Sequence, residues 1–193
     1  INLSLLSTCD KWILNQLNKV IKEADKNYEK FEFGEAAKAI YNFVWDDFAS
    51  WYLEMTKVAL SIGSQEEKTN TCAVLNYVLK AILKLLHPFM PFVTEDIYKS
   101  FNEQSIMISS WPEVNEEYNF EEASKFTIIF DIITSIRNIR NQKNVAMSKK
   151  IDLVLQFKDE KYKAFVNENT HYLQKFANYE NLEMITTDYD TNK

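Results

Sequence analysis

Several residue groups in this chain have the types and spacing that chemistry uses. Glu168 and His171 stand three apart, which puts both on one face if the segment is helical. Di-iron helical bundles use such pairs. They need two of them plus two further inward glutamates, and this chain offers one, so a solvated helix surface is the expectation. Asp46 and Asp47 are paired carboxylates inside the aromatic run Trp45, Phe48, Trp51 and Tyr52. Adjacent helical residues point about 100° apart, so the two do not converge on one substrate atom. Buried hydrogen bonds to neighbouring helices are the expected use. His87 precedes Pro88 at the end of a leucine-rich segment, with no nucleophile or carboxylate partner recognisable nearby. It reads as an imidazole near the last carbonyls of a helix, where the dipole favours it. No metal site and no catalytic residue is expected.

The basic stretch is the strongest signal. Residues 1–131 carry 12 Lys and Arg against 20 Asp and Glu. Residues 132–150 carry Arg137, Arg140, Lys143, Lys149 and Lys150 and no acid. Residues 151–193 carry 5 against 8, and the whole chain has a net charge of -6. Arg137 and Arg140 are one turn apart, with Asn138, Asn141 and Asn144 interleaved. Forked arginine donors suit phosphates, and asparagine offers both donors and acceptors to bases. Two readings stand: a nucleic-acid contact, or ion pairing with the acidic helices of the same chain. The run Met147-Ser148-Lys149-Lys150 superficially resembles the ATP-site loop of class I synthetases. Its first lysine is missing and no nucleotide-binding sheet precedes it, so it is not expected to be catalytic.

The elements that position these residues are mostly helices. Two glycines and three prolines in 193 residues exclude a glycine-rich phosphate loop and argue against a many-turned all-β fold. Ile13, Leu17, Val20, Ala24, Tyr28 and Phe31 predict a helix over 10–31, capped by Ser7 or Thr8. A second spans 33–62, apolar on two stripes, with Gly63 at its end. On those stripes Trp45, Phe48 and Trp51, with Phe89 and Phe92 beyond, are expected in the core. Ser64 and Glu67 form a capping-box pattern for a third helix that Pro88 stops. Pro91 opens a short helix to about residue 101. Residues 106–112 read as extended, and 113–122 as an acidic connector. A helix follows over about 121–144. Ile151, Leu153, Leu155 and Phe157 then alternate as a strand, 158–178 returns to helix, and 182–186 forms a second strand. A helical crossover would make the two strands parallel. The expected fold is mainly α: a helical bundle over 1–144 and a small β-α-β appendix over 145–193 that ends in a polar tail.

Cys9 and Cys72 are unpaired in spacing, which argues against a disulfide framework or zinc and favours a cytoplasmic setting. No apolar run approaches the roughly 18 residues of a membrane span, since Lys80 and Lys84 interrupt the best stretch. No membrane partner is expected. The chain starts at Ile1 and reads as a piece of something longer.

Particular runs carry a resemblance. Tyr41-Asn42-Phe43-Val44-Trp45-Asp46-Asp47-Phe48-Ala49-Ser50-Trp51-Tyr52-Leu53-Glu54, followed by Lys57, resembles the signature helix of the anticodon-binding domain of valyl-tRNA synthetases. Phe33 to Ala37 is similar to the entry into that helix, and Asp10 to Leu14 to an earlier helix start. Leu86 to Glu95 resembles a motif that class I synthetases of the Val/Ile/Leu/Met group share, and Ile108 to Pro112 their next element. Ile136-Arg137-Asn138-Ile139-Arg140 resembles the valyl branch. The matches run in order over about residues 8–157.

The resemblance implies an anticodon-binding helix bundle that grips the anticodon stem-loop of a valine tRNA. It implies a parent that joins valine to tRNA, with ATP and Mg in catalytic and editing domains outside this sequence. The parent is expected to be monomeric and cytoplasmic. This piece alone is expected to hold no cofactor and to be inactive. The contact set expected from charge and spacing is Arg137, Arg140, Asn141, Lys143, Lys149 and Lys150. The isoleucyl or another class I branch, or a helical protein-interaction scaffold, are the alternatives.

Overall fold

A computed structural model describes residues 1–186. The chain is mainly helical, with a small two-stranded parallel sheet towards its end. It forms two compact units, one spanning Ile1–Ala123 and one opening at Ser124. The boundary expected at residue 144 therefore falls earlier, and the last long helix belongs with the α/β piece. Its buried face is the reason, as shown below.

In the first unit, α1 (Thr8–Glu29) starts at Ser7, whose hydroxyl accepts from the Asp10 amide while the Asp10 carboxylate accepts from the Ser7 amide. Both donors would otherwise be unpaired at the helix start. The helix ends with Phe31 in the left-handed region at φ 59. There the Glu32 amide donates to the Asn27 carbonyl and the Phe31 amide to that of Tyr28. This closure usually employs glycine.

The segment expected as one helix over 33–62 is α2 (Phe33–Asn42), a π-helical stretch from Phe43 to Tyr52, and α3 (Leu53–Ile62). The Leu53 amide donates to the Phe48 carbonyl, five residues back. The wider turn shifts the faces. Ile40, Phe43, Phe48, Tyr52 and Met55 are buried, and the step from Phe43 to Phe48 is five residues. Trp45 falls outside that series and is 61% exposed. Of the expected core aromatics, Phe48 is buried and Trp51 half-buried. Trp45, Phe89 and Phe92 are on the surface, so their core placement is corrected.

Gly63 also differs from expectation. It closes α3 with φ -68, not left-handed. A Cβ there would lie 2.9 Å from the Ala59 carbonyl oxygen, so close approach is what glycine permits. The α4 helix (Gln65–Leu86) opens with the expected Ser64–Glu67 capping box. Its C-cap, His87, does not bond to the helix's own carbonyls through its ring. Nδ1 lies 2.7 Å from Thr94 Oγ1 on α5 (Pro91–Lys99), tying two helices together.

The connector after α5 is tied to α1 by two asparagines that act as backbone mimics. Asn15 Nδ2 donates to the Phe120 carbonyl and its Oδ1 accepts from the Phe120 amide. Asn18 makes the same reciprocal pair with Asn115. Residues 106–112 are not a strand: Ile106–Ile108 is a short 3-10 turn.

The second unit holds α6 (Thr127–Gln142), β1 (Ile151–Gln156), α7 (Glu160–Glu168), α8 (Thr170–Ala177) and β2 (Tyr179–Ile185). The strands pair in parallel, with Leu153 opposite Leu182 and Leu155 opposite Met184, as the crossover reading expected. Phe126 packs edge-on against Phe130 at 5.2 Å and Tyr172 at 5.1 Å. Ile129, Ile133 and Ile136 of α6 are buried in line with it. This is why α6 sides with the α/β piece. The polar tail lies outside the described residues.

Candidate nucleic-acid interface

The basic stretch folds as the last two turns of α6, a cap, and the loop into β1. The α6 helix ends with Asn144 in the left-handed region at φ 53, which asparagine tolerates better than most residues. The Val145 amide donates to the Arg140 carbonyl at 2.8 Å and the Asn144 amide to that of Asn141 at 3.2 Å. The chain turns sharply there, and Ala146 to Lys150 form the exposed loop.

Arg140 is not part of the surface. Its side chain is 2% exposed. Nη1 donates to the carbonyls of Ala146 and Lys149, each at 2.8 Å. Nη2 donates to those of Ala177 at 2.8 Å and Asn178 at 3.2 Å. Four backbone carbonyls surround one guanidinium, and no face remains for a phosphate. Arg140 is therefore withdrawn from the expected contact set. It holds the loop that carries Lys149 and Lys150 against the end of α8. Asn178, left-handed at φ 49, adds a donation from Nδ2 to the Met147 carbonyl at 3.0 Å.

The other expected residues are exposed: Arg137, Asn141, Lys143, Lys149 and Lys150. Among the described residues, Lys143, Lys149 and Lys150 make no ion pair. The Arg137 guanidinium lies 5.9 Å over the Phe176 ring, which braces it from one side. Ile139, 57% exposed, and Met147, 45% exposed, are surface apolar residues of the same stretch of chain. Sequence reasoning passed over both, because it looked only for charge. Planar bases accept such apolar contacts alongside phosphate-bound cations.

The other candidates resolve as structural parts. Glu168 ends α7 and His171 lies in α8, so the break at Asn169 takes them off a common helix. Burial lowers the His171 pKa. No group of three or more His, Cys, Asp or Glu stands together among the described residues. Asp46 is exposed, and Asp47 accepts from Gln16 Nε2 of α1 at 3.2 Å, the cross-helix use expected of it. No helix among the described residues is long and apolar enough to cross a membrane.

A family model described as the anticodon-binding domain of tRNA ligase matches residues 10–155. A valine–tRNA ligase of Streptococcus thermophilus is 46% identical over 91% of this chain and 20% of its own length. One from Staphylococcus carnosus is 41% identical over 96% of the chain and 22% of its own length. One from Bacillus anthracis is 43% identical over 93% and 21%. The chain thus spans about a fifth of the length of these relatives.

Proposed function

The chain belongs to the anticodon-binding domain family of tRNA ligases, and from that premise we propose that it recognises the anticodon stem-loop of a valine tRNA within a longer, cytoplasmic valine–tRNA ligase. The observation that carries this reading is the exposure of the cations along the stretch from the end of α6 to the start of β1. Arg137, Lys143, Lys149 and Lys150 offer donors to phosphates, and Asn141 offers an amide to a base edge. Unstacked loop bases of RNA are the usual targets of such amide and apolar contacts. Arg140 and Asn144 do not touch RNA. They set the turn that presents the lysines, so the contact geometry is built before RNA arrives.

No chemistry is assigned to this chain. Joining valine to tRNA, with ATP and Mg, falls to other domains of the longer protein. Binding energy collected at the anticodon supports orientation at the distant reacting end. The acidic remainder of the chain repels phosphate.

The test is fluorescence anisotropy of the chain with a valine tRNA transcript and an anticodon-swapped copy, at low and moderate salt. Preference for the valine anticodon is expected. With four exposed cations on phosphate, the log–log salt slope should be about -2.8, from roughly -0.7 per contact on single strands. Equal affinity for both transcripts would overturn anticodon recognition.

A further inference from the structure

An aromatic patch in the first unit is not used by this reading. Tyr28 is its hub. Phe89 stacks on it at 6.0 Å, Trp111 meets it edge-on at 5.5 Å, and Phe33 lies tilted at 6.1 Å. Phe31 meets Phe33 edge-on at 6.2 Å. Phe31 is 79% exposed, yet it occupies the left-handed position that closes α1. A bulky residue in that backbone is strained. Within this unit it gains no burial to offset the strain. Such a residue points to a surface that something else covers.

A cavity of about 540 Å³ opens in the patch, lined by Asp25, Tyr28, Glu29, Phe33, Pro88 and Trp111. Trp111 Nε1 donates to Asp25 Oδ1 at 2.7 Å, which fixes the indole as a wall. Three aromatic rings and two carboxylates line the space, and among the described residues no cation does. Burial, and then the Asp25 charge, push the Tyr28 hydroxyl up to about 12. Ring faces and carboxylates together hold a cation. Phosphate would be repelled.

We propose that this cavity receives an arginine or lysine side chain presented by an apolar surface of the same longer polypeptide. The proposal rests on the reading of the chain as one domain of such a polypeptide. Relatives in which this region is about a fifth of the length supply the covering surface. Apolar neighbours of the incoming cation cover Phe31 and Phe33, while the cation enters between Tyr28, Trp111 and Glu29.

Hydroxyl-radical footprinting of the 193-residue chain and of the full-length protein, each with and without tRNA, tests it. In the chain alone, Phe31, Phe33 and Trp111 should oxidise readily. In the full-length protein they should be protected several-fold, at any protein concentration and with or without tRNA. Glu29→Lys in the full-length protein should restore Trp111 oxidation, and Glu29→Gln should restore part of it. Both variants leave the Trp111–Asp25 bond in place. Protection that appears only with tRNA would assign the patch to RNA. Protection that grows with concentration would assign it to a second copy. Equal oxidation in both lengths, protection already present in the chain alone, or protection unmoved by Glu29→Lys would each overturn the proposal. Anisotropy on the same samples reads tRNA binding separately, so failure of the anticodon reading is distinguishable.

Discussion

The Tyr52 hydroxyl donates to Asp10 Oδ1 at 2.6 Å, and both side chains are fully buried. The other carboxylate oxygen, Oδ2, accepts from Thr71 Oγ1 at 3.0 Å and Ser7 Oγ at 2.6 Å. One carboxylate thus joins α1, the π-helical stretch and α4. The donors that meet it in this network are hydroxyls and an amide. Tyr52→Phe removes one of them and should cost about 1.5–3 kcal/mol, the range for hydrogen bonds to charged groups. Urea unfolding checks this. An unchanged midpoint would mean that the other donors suffice.

Arg140→Ala should destabilise the second unit by about 1–3 kcal/mol, the range for one buried unsatisfied group, because it removes the donor from the buried Ala177 carbonyl, while the part-exposed carbonyls of Ala146, Lys149 and Asn178 can turn to water. Hydrogen exchange should accelerate at residues 146–149 and 177–178 first. RNA affinity should fall only together with this loosening. Native exchange rates with lost RNA binding would return Arg140 to the interface.

Lys149→Ala with Lys150→Ala should leave the fold intact and reduce the steepness of the salt dependence by about 1.4, two phosphate contacts at roughly 0.7 each. Anisotropy over a salt series measures it. An unchanged slope would take both lysines out of the contact.

Asp47 carries a pH prediction. Burial raises its carboxyl above the usual value; the Gln16 bond opposes this and the Asp46 charge adds to it. The folded state therefore holds the proton more tightly than the unfolded state. Stability from this group is full below the unfolded value and is lost as pH rises through the folded one. Asp47→Asn, which can still accept from Gln16, should match the parent in strong acid. It should equal or exceed the parent's stability near neutrality. Thermal melts across pH check this, and a lower melting point for the variant at neutral pH would contradict it.

Phe48→Ala should cost about 3–5 kcal/mol, as buried aromatic truncations do. Trp45→Ala, three residues earlier on the same stretch, should cost far less, since Trp45 is exposed. Denaturant melts of the two variants compare them directly.

What could be read from sequence was what depends on neighbours in sequence. Ser7 (with Thr8 as the alternative) and Ser64 start helices through cap bonds that reach only three residues, and Pro91 starts one because its fixed φ and missing N–H suit a first turn; all three starts were legible. The alternation from Ile151 to Leu155 marked β1 for the same reason. The π-helical stretch was not legible, because a 3.6-residue period was assumed where the bonds run five residues back. That assumption placed Trp45 inside. In the candidate site, Arg137, Asn141, Lys143, Lys149 and Lys150 were expected on the surface from charge and spacing, and they are exposed. Arg140 has the same charge. Its burial depends on the carbonyls of Ala177 and Asn178, far along the chain, and no local pattern announces them.

The four-carbonyl clasp of Arg140 also orders events during synthesis. Ala146 and Lys149 leave the ribosome soon after Arg140, but Ala177 and Asn178 emerge only after β1, α7 and α8. Until then half of the guanidinium's acceptors do not exist, and the lysine loop has no anchor at its far side. Residues 1–123 can pack while this is pending, since domains generally fold as units from the N-terminal side. The nascent chain thus acquires a folded acidic unit before it acquires an ordered cationic surface.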